Sequence, residues 1–146
     1  MSGARGYRSK TVAAWLALLF GSLGVHRLYL RGLGDKLAWC YPLPTLVGLA
    51  GVLRMRTLGQ DDRLSWPLIP LLGFMLSLGM GVAIVLALTP DEKWDARHNP
   101  GHAVTPTGWG PVIAAIIALA VGGAVLMGTI AFSGEKFFEW QLSSER

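Results

Sequence analysis

Gly21-Ser22-Leu23-Gly24-Val25-His26-Arg27-Leu28-Tyr29-Leu30 closes an apolar run that opens at Val12, and it sets a histidine and an arginine among aliphatic and aromatic neighbours. Val12 to Val25 is 14 residues, which as a helix reach about 21 Å against a hydrocarbon core of about 30 Å. Continued to Leu30, the run has 19 residues and about 28 Å of helix, enough to cross. On this reading His26 and Arg27 sit one turn from the far interface, Arg27 snorkels toward headgroups, and the pair marks where the first membrane segment doubles back.

The rest of the chain has the same character. Of 146 residues, 52% are hydrophobic and 15% charged, with a mean hydropathy of +0.45, whereas soluble domains carry about a quarter charged residues. The two most apolar runs contain no lysine or arginine, so the net charge of +4 belongs to loops and ends. Basicity so placed bears on orientation and anionic lipid, and no nucleic-acid partner is expected. Cys40 is the single cysteine and forms no intramolecular disulfide. Arg5, Arg8 and Lys10 ahead of a short apolar run also resemble a signal peptide with a cleavage site near Ser22-Leu23-Gly24, which would leave three spans. The hydrophobic character continues past that site, which favours a retained first span.

Four segments emerge: Val12 to Leu30, Leu37 to Leu53, Trp66 to Leu88 and Pro111 to Phe132. The expected fold class is therefore all-α, an integral membrane bundle of four transmembrane helices. It divides into a cytoplasmic N-terminal segment (1–11), a hairpin (12–60), a second pair of helices with a long connecting loop (61–132) and an amphipathic tail (133–146). Pro111 suits the first turn of the fourth helix, and Ser133-Gly134 suits its end. Pro42 and Pro44 each remove a backbone donor from the second segment, so a kink near Ala38 to Tyr41 is expected. A helix starting only after Pro44 would be too short to cross and would make that segment re-entrant.

With four spans, Arg5, Arg8, Lys10, Arg54, Arg56, Arg63, Lys136 and Arg146 fall on one side and Arg27, Arg31, Lys36, Lys93 and Arg97 on the other. Eight against five puts both termini in the cytoplasm. Trp66, Trp109 and Trp140 read as interfacial anchors. Small residues share helix faces at Ala13, Ala17 and Gly21, at Gly73, Ser77 and Gly81, and at Ala114, Ala118 and Gly122. Such faces serve close packing within the bundle or a homo-oligomer.

Residues 10 to about 60 resemble the two-transmembrane domain family through Lys10, Ala14, Leu19, Phe20, Gly21, Gly24, His26, Arg27 and Tyr29, followed by Gly32 and Gly34. The turn is a variant, with Leu28 and Arg31 where Phe and Gly are more usual. For the aspartate often found near the end of the second family helix, Asp61 or Asp62 is a loose counterpart. The resemblance implies an integral protein of a bacterial inner membrane with two added C-terminal helices, and it implies no established enzymatic activity.

Gly21, Gly24, His26, Arg27 and Tyr29 form the candidate site. They build either a stop-and-turn device, with His26 satisfied locally and Tyr29 at the interface, or a surface on which the cation meets a backbone carbonyl, a lipid phosphate or a partner's carboxylate. His98 and His102 have helical spacing, but Pro100 and Gly101 oppose a helix through both, so a solvated loop is expected there rather than a metal site. The loop from Thr89 to Gly110 reads as a docking surface, an interfacial segment or a connector. Asp61 and Asp62 pair with nearby arginines, while Arg54, Arg56 and Arg63 meet anionic headgroups. No cofactor or catalytic group is expected. The expected role is non-enzymatic, organising or regulating other membrane components through lipid, a protein partner or a homo-oligomer. The alternative is a homo-oligomeric pore lined by Gly73, Ser77 and Gly81 or by the kinked second helix. A metal-dependent enzyme built on His98, His102 and nearby acids is a third class.

Overall fold

A computed structural model of the chain describes residues 6–145, and these form helices joined by turns and loops, with no strand among them. The elements are α1 (Lys10–Phe20), a 3₁₀ turn (Gly21–Leu23), α2 (Val25–Arg31), α3 (Lys36–Cys40), α4 (Pro42–Leu58), α5 (Ser65–Leu88), α6 (Asp91–His98) and α7 (Gly110–Ser144). Arg5 and Arg146, both counted in the charge balance, lie outside the described residues.

Three stretches are long and apolar enough to cross a membrane: Lys36–Leu58, Ser65–Leu88 and Gly110–Ser144, while Lys10–Leu23 is a shorter apolar helix. Three long candidate spans and one shorter apolar helix thus stand where four spans are expected. The first segment breaks because Gly24 takes a left-handed conformation at φ 76°, which ends the 3₁₀ turn and lets α2 start in a new direction.

Antiparallel packing fixes the depth of that break. The Lys10 ammonium meets the Thr89 carbonyl just past the end of α5, and Gly21 meets Gly79 further along α5. Ten residues of α5 put this contact about 15 Å from the Thr89 end, about half the depth of a bilayer core. From there α2 returns, since the Ser9 N–H donates to the Tyr29 hydroxyl at 2.9 Å. The Arg8 guanidinium also donates to the Tyr29 carbonyl. Thus α1 and α2 form a re-entrant hairpin, and the doubling back occurs at Gly24 rather than at His26-Arg27.

Contacts at the two ends of the helices show how they run in the bundle. Thr11 touches Gly110 at the start of α7, whereas Lys136 near the other end of α7 lies 5.2 Å from the Trp66 ring at the start of α5. The two described ends of the chain lie at opposite ends of the bundle.

The second segment does bend within the expected stretch. Tyr41 separates α3 from α4 but keeps helical angles, φ −61° and ψ −42°, so the interruption reflects the donors missing at Pro42 and Pro44 rather than a turn. A start delayed until after Pro44 is not found. The fourth helix does not stop at Ser133-Gly134. Gly134 has no positive φ, the Ser133 hydroxyl bonds the Thr129 carbonyl at 2.7 Å, and α7 continues for 35 residues in all. The predicted separate tail is the last part of this helix.

The core is made of alanine. Ala14, Ala17 and Leu18 of α1 pack with Ala83 and Ala87 of α5 and Ala114, Ala115 and Ala118 of α7. In lipid such faces are favoured because backbones approach closely and gain van der Waals contact. Ala13, Ala17 and Gly21 are all buried, as are Ala114, Ala118 and Gly122, so these two faces serve the bundle itself. The third face is divided, because Gly73 abuts Thr129 while Gly81 has open space beside it.

Candidate functional site

The five candidate residues fall in the re-entrant hairpin, each with a separate task. Gly21 brings the backbone of the 3₁₀ turn onto α5, where a Cβ would come within 2.6 Å of the Gly79 Cα. Gly24 supplies the left-handed turn and lies against the Ala38 carbonyl, 2.7 Å from where its Cβ would stand. That carbonyl is the one whose helical donor Pro42 lacks. The Thr45 hydroxyl then ties α4 to the turn by donating to the Ser22 carbonyl at 2.6 Å.

His26 is 3% exposed and meets the Tyr41 ring edge-on, with centroids 5.9 Å apart. Its Nδ1 has no hydrogen-bond partner among the described residues. Arg27 does not snorkel to headgroups. Its Nε donates to Asp35 Oδ2 at 2.9 Å, its guanidinium lies 5.9 Å from the Tyr41 ring centre, and its Nη2 is buried without a partner. The cation therefore meets a carboxylate of its own chain. Tyr29 is not an exposed anchor either, since it accepts from Ser9 and carries the Arg8 guanidinium 5.2 Å from its ring centre.

Asp35 and Tyr41 are the residues that sequence reasoning missed. Asp35 N-caps α3 by accepting from the Leu37 N–H at 3.1 Å while holding Arg27. The signal was present in Gly32-Leu33-Gly34-Asp35, a turn with an N-cap residue eight positions after the arginine. Both members of the pair are largely shielded, with side-chain exposures of 19% for Arg27 and 9% for Asp35. Removing one partner strands the other, whereas removing both does not. Asp35→Ala alone should therefore lower thermal stability more than the double variant Arg27→Met/Asp35→Leu. In a double-mutant cycle, single losses that simply add to the loss of the double variant would show that the pair is uncoupled.

The loop from Thr89 to Gly110 docks onto the chain's own N-terminal segment. Trp94 is 2% exposed, and its indole N–H donates to the Arg8 carbonyl at 2.8 Å. The Asn99 side chain takes both backbone groups of Arg8, at 2.7 Å and 3.1 Å. The loop does fold back on its acids, but for hydrogen bonds. Asp95 accepts from the Thr105 N–H at 2.9 Å, and Asp91 accepts from the Thr107 hydroxyl at 2.8 Å and from Lys10. His98 ends α6 and His102 lies beyond Gly101, at φ 87°, so the two do not share a helix face. Among the described residues no group of three or more His, Cys, Asp or Glu is arranged to hold a metal ion.

These bonds carry a pH dependence. The Lys10 ammonium and then the Thr107 donors hold the Asp91 carboxyl below its ordinary range, and the Thr105 N–H and Asn99 amide do the same for Asp95. A carboxylate depressed in the folded state stabilises fully above its unfolded pKa of about 4, and that contribution is lost as pH falls through the lower folded value. Hydrogen-exchange protection of residues 91–107 should therefore be flat from neutral pH down to about 5 and drop below about 4. Asp91→Asn should reproduce part of that drop at neutral pH.

At the other end of the bundle, Arg54 forms two bonds of 3.0 Å with Asp62, and Asp62 is held below the usual carboxylate range by Arg54 and then Ser65. Arg63 donates to the Ser143 hydroxyl at 3.3 Å. Local pairing thus occupies two of the three arginines expected to meet headgroups. Trp109 and Trp140 are exposed, at 76% and 52%, and the Trp66 indole N–H bonds the Gln60 carbonyl at 2.9 Å.

No curated protein and no solved structure matches the chain. A family model does, and it covers the part that folds into the re-entrant hairpin, α3 and most of α4: residues 6–55 match the TM2 domain, in an integral membrane protein with three helices long and apolar enough to span.

Proposed function

We propose that this protein is a non-enzymatic integral membrane protein that organises or regulates other membrane components, and that the re-entrant hairpin is the part its partners read. The observation carrying this is the hairpin's polar interior: a shielded Arg27–Asp35 pair and a buried His26 whose Nδ1 has no partner among the described residues. Burying such groups among apolar helices is costly, and where it is tolerated it usually marks function. The non-enzymatic reading is supported by how the acids near the site are occupied, with Asp35, Asp91 and Asp95 each committed to structural bonds. The bacterial inner-membrane setting, with two helices added beyond the TM2 segment, rests on the resemblance in the sequence.

The proposed topology has three crossings, with the N-terminal end in the cytoplasm and the C-terminal end outside. Among the described residues Arg8, Lys10, Arg31, Lys36, Lys93 and Arg97 gather at the Lys10 end, against Arg54, Arg56, Arg63 and Lys136 at the other, six against four. The excess favours the cytoplasm for the Lys10 end.

A photoreactive residue at Leu19 or Phe20, both exposed on the hairpin, tests the function in intact membranes. Reproducible protein adducts at these positions, absent when the probe sits at Trp109, support partner recognition by the hairpin. Adducts with lipid alone at all three positions would overturn it. The conduit alternative draws no support from Ser77, whose hydroxyl is spent on the Gly73 carbonyl at 2.9 Å.

A further inference from the structure

We propose that the groove where α5 meets α6 is a binding site for one anionic phospholipid, with the headgroup phosphate held by Lys93 and Arg97 and an acyl chain laid down α5. Two cavities make this groove. One, of about 520 Å³, has Val85, Leu86 and Thr89 on the α5 side and Lys93, Trp94, Arg97 and His98 on the α6 side. The other, of about 590 Å³, runs down α5 past Val82, Leu78 and Phe74 to Leu126 of α7. Val85 lines both. Phe74, Leu78, Gly81 and Val85 recur at intervals that keep them on one face of α5, so the apolar cavity continues beneath the cationic one.

Charge complementarity selects the occupant. Lys93 and Arg97 are four residues apart on α6 and point to one side. No salt bridge engages either of them among the described residues, whereas Lys10, Arg27, Arg54 and Lys136 all have acidic partners. The nearby carboxylates of Asp91 and Asp95 are already bonded to Thr107, Lys10, Thr105 and Asn99. The Thr89 carbonyl, whose negative end would repel an anion, is covered by the Lys10 ammonium at 2.9 Å. Positive potential here is also felt by His98, which is disfavoured from protonation by burial and then by Arg97, Arg8 and Arg31. Below this cationic rim the wall is aliphatic, and Gly81 leaves room, because a Cβ there meets nothing within 4 Å. A cationic rim over an apolar trough, at the depth where α5 ends, matches a phosphodiester joined to a hydrocarbon tail. A free phosphate would leave the trough empty.

Native mass spectrometry of the full chain in detergent, stripped of lipid and titrated with phosphatidylglycerol or phosphatidylcholine, reads this directly. Phosphatidylglycerol should bind as one tight copy, and phosphatidylcholine more weakly. The variant Lys93→Gln/Arg97→Gln, altered only at exposed positions, should lose roughly 30-fold in phosphatidylglycerol affinity, about 5-fold per basic residue. Arg56→Gln/Arg63→Gln removes the same charge from the other end and should change little. Gly81→Leu fills the trough and should weaken both lipids, and inorganic phosphate should not displace phosphatidylglycerol. Equal binding of the two lipids, equal losses in the two double variants, no loss in Lys93→Gln/Arg97→Gln, or displacement by inorganic phosphate would each overturn the proposal.

Discussion

Replacing Gly24 by valine is expected to destabilise the protein by about 3 kcal/mol or more, from two costs that add at one position. A left-handed conformation costs an L-residue about 1–2 kcal/mol, and Gly24 stands at φ 76°. The added carbon also meets the Ala38 carbonyl oxygen at 2.7 Å and the Tyr41 Cβ at 3.0 Å, and such overpacking costs about 1–3 kcal/mol more. Gly32 separates the two costs, because its φ is 85° but nothing lies within 4 Å of an added Cβ. Gly32→Val should carry only a backbone cost, of about 1–3 kcal/mol because its ψ of 178° lies in a region essentially reserved for glycine. Gly34→Val, with open space and no positive φ, should stay within about 0.5 kcal/mol of the parent. Reversible unfolding in bicelles orders the three. If Gly24→Val matched Gly34→Val, α1 would continue straight through this position and the hairpin would not exist.

The second large effect is expected at Gly79. A Cβ there would lie 2.8 Å from the Gly21 carbonyl carbon and 2.8 Å from the Ser22 nitrogen, which are backbone atoms of a tight turn and cannot rotate away. Gly79→Leu should therefore push the hairpin off α5 at a cost of about 3 kcal/mol and open residues 20–35 to proteolysis. Gly81→Leu, two positions further along the same helix, should cost little, since no neighbour stands within 4 Å. Equal protease resistance in the two variants would mean that Gly21 and Gly79 are not in contact.

Much of the helical framework was legible in the residues. Trp66 to Leu88 was read within one residue of α5, because an uncharged apolar run of that length admits few alternatives in a chain of this composition. Pro42 and Pro44 announced the bend at Tyr41, since a missing backbone donor acts locally. The fate of the first segment was not legible. Val12 to Leu30 has the hydrophobic content of a span whether it runs straight or folds back, and the choice lies in one φ angle at Gly24 and in what α2 meets on return. Ser9 and Arg8 receive Tyr29, and Asp35 receives Arg27. Each of these is a contact across eight to twenty-one positions, which no periodicity encodes.

The small-residue faces show the same limit. Spacing identified Gly73, Ser77 and Gly81 as one face of α5, but the backbone contact is made by Gly79, on the face it shares with Ala83 and Ala87. Two small stripes on one helix are equal in sequence, and only the approach of the turn at Gly21 distinguishes them. Gly134 misled for a related reason. Glycine ends a helix when its backbone turns left-handed, but Lys136, bonded to Glu139 at 2.8 Å and resting against Trp66, holds the chain in register beyond it.

Cysteine accessibility tests the re-entrant hairpin most directly. In a Cys40→Ser background, single cysteines at Gly6, Gly34 and Asp61, all exposed positions, are labelled with a membrane-impermeant maleimide before and after the membrane is opened. If α1 and α2 enter and leave on one side, Gly6→Cys and Gly34→Cys react together and Asp61→Cys reacts from the opposite side. Were Gly6→Cys and Asp61→Cys to react together, with Gly34→Cys alone on the other face, the first segment would cross the bilayer and this account of the fold would be wrong.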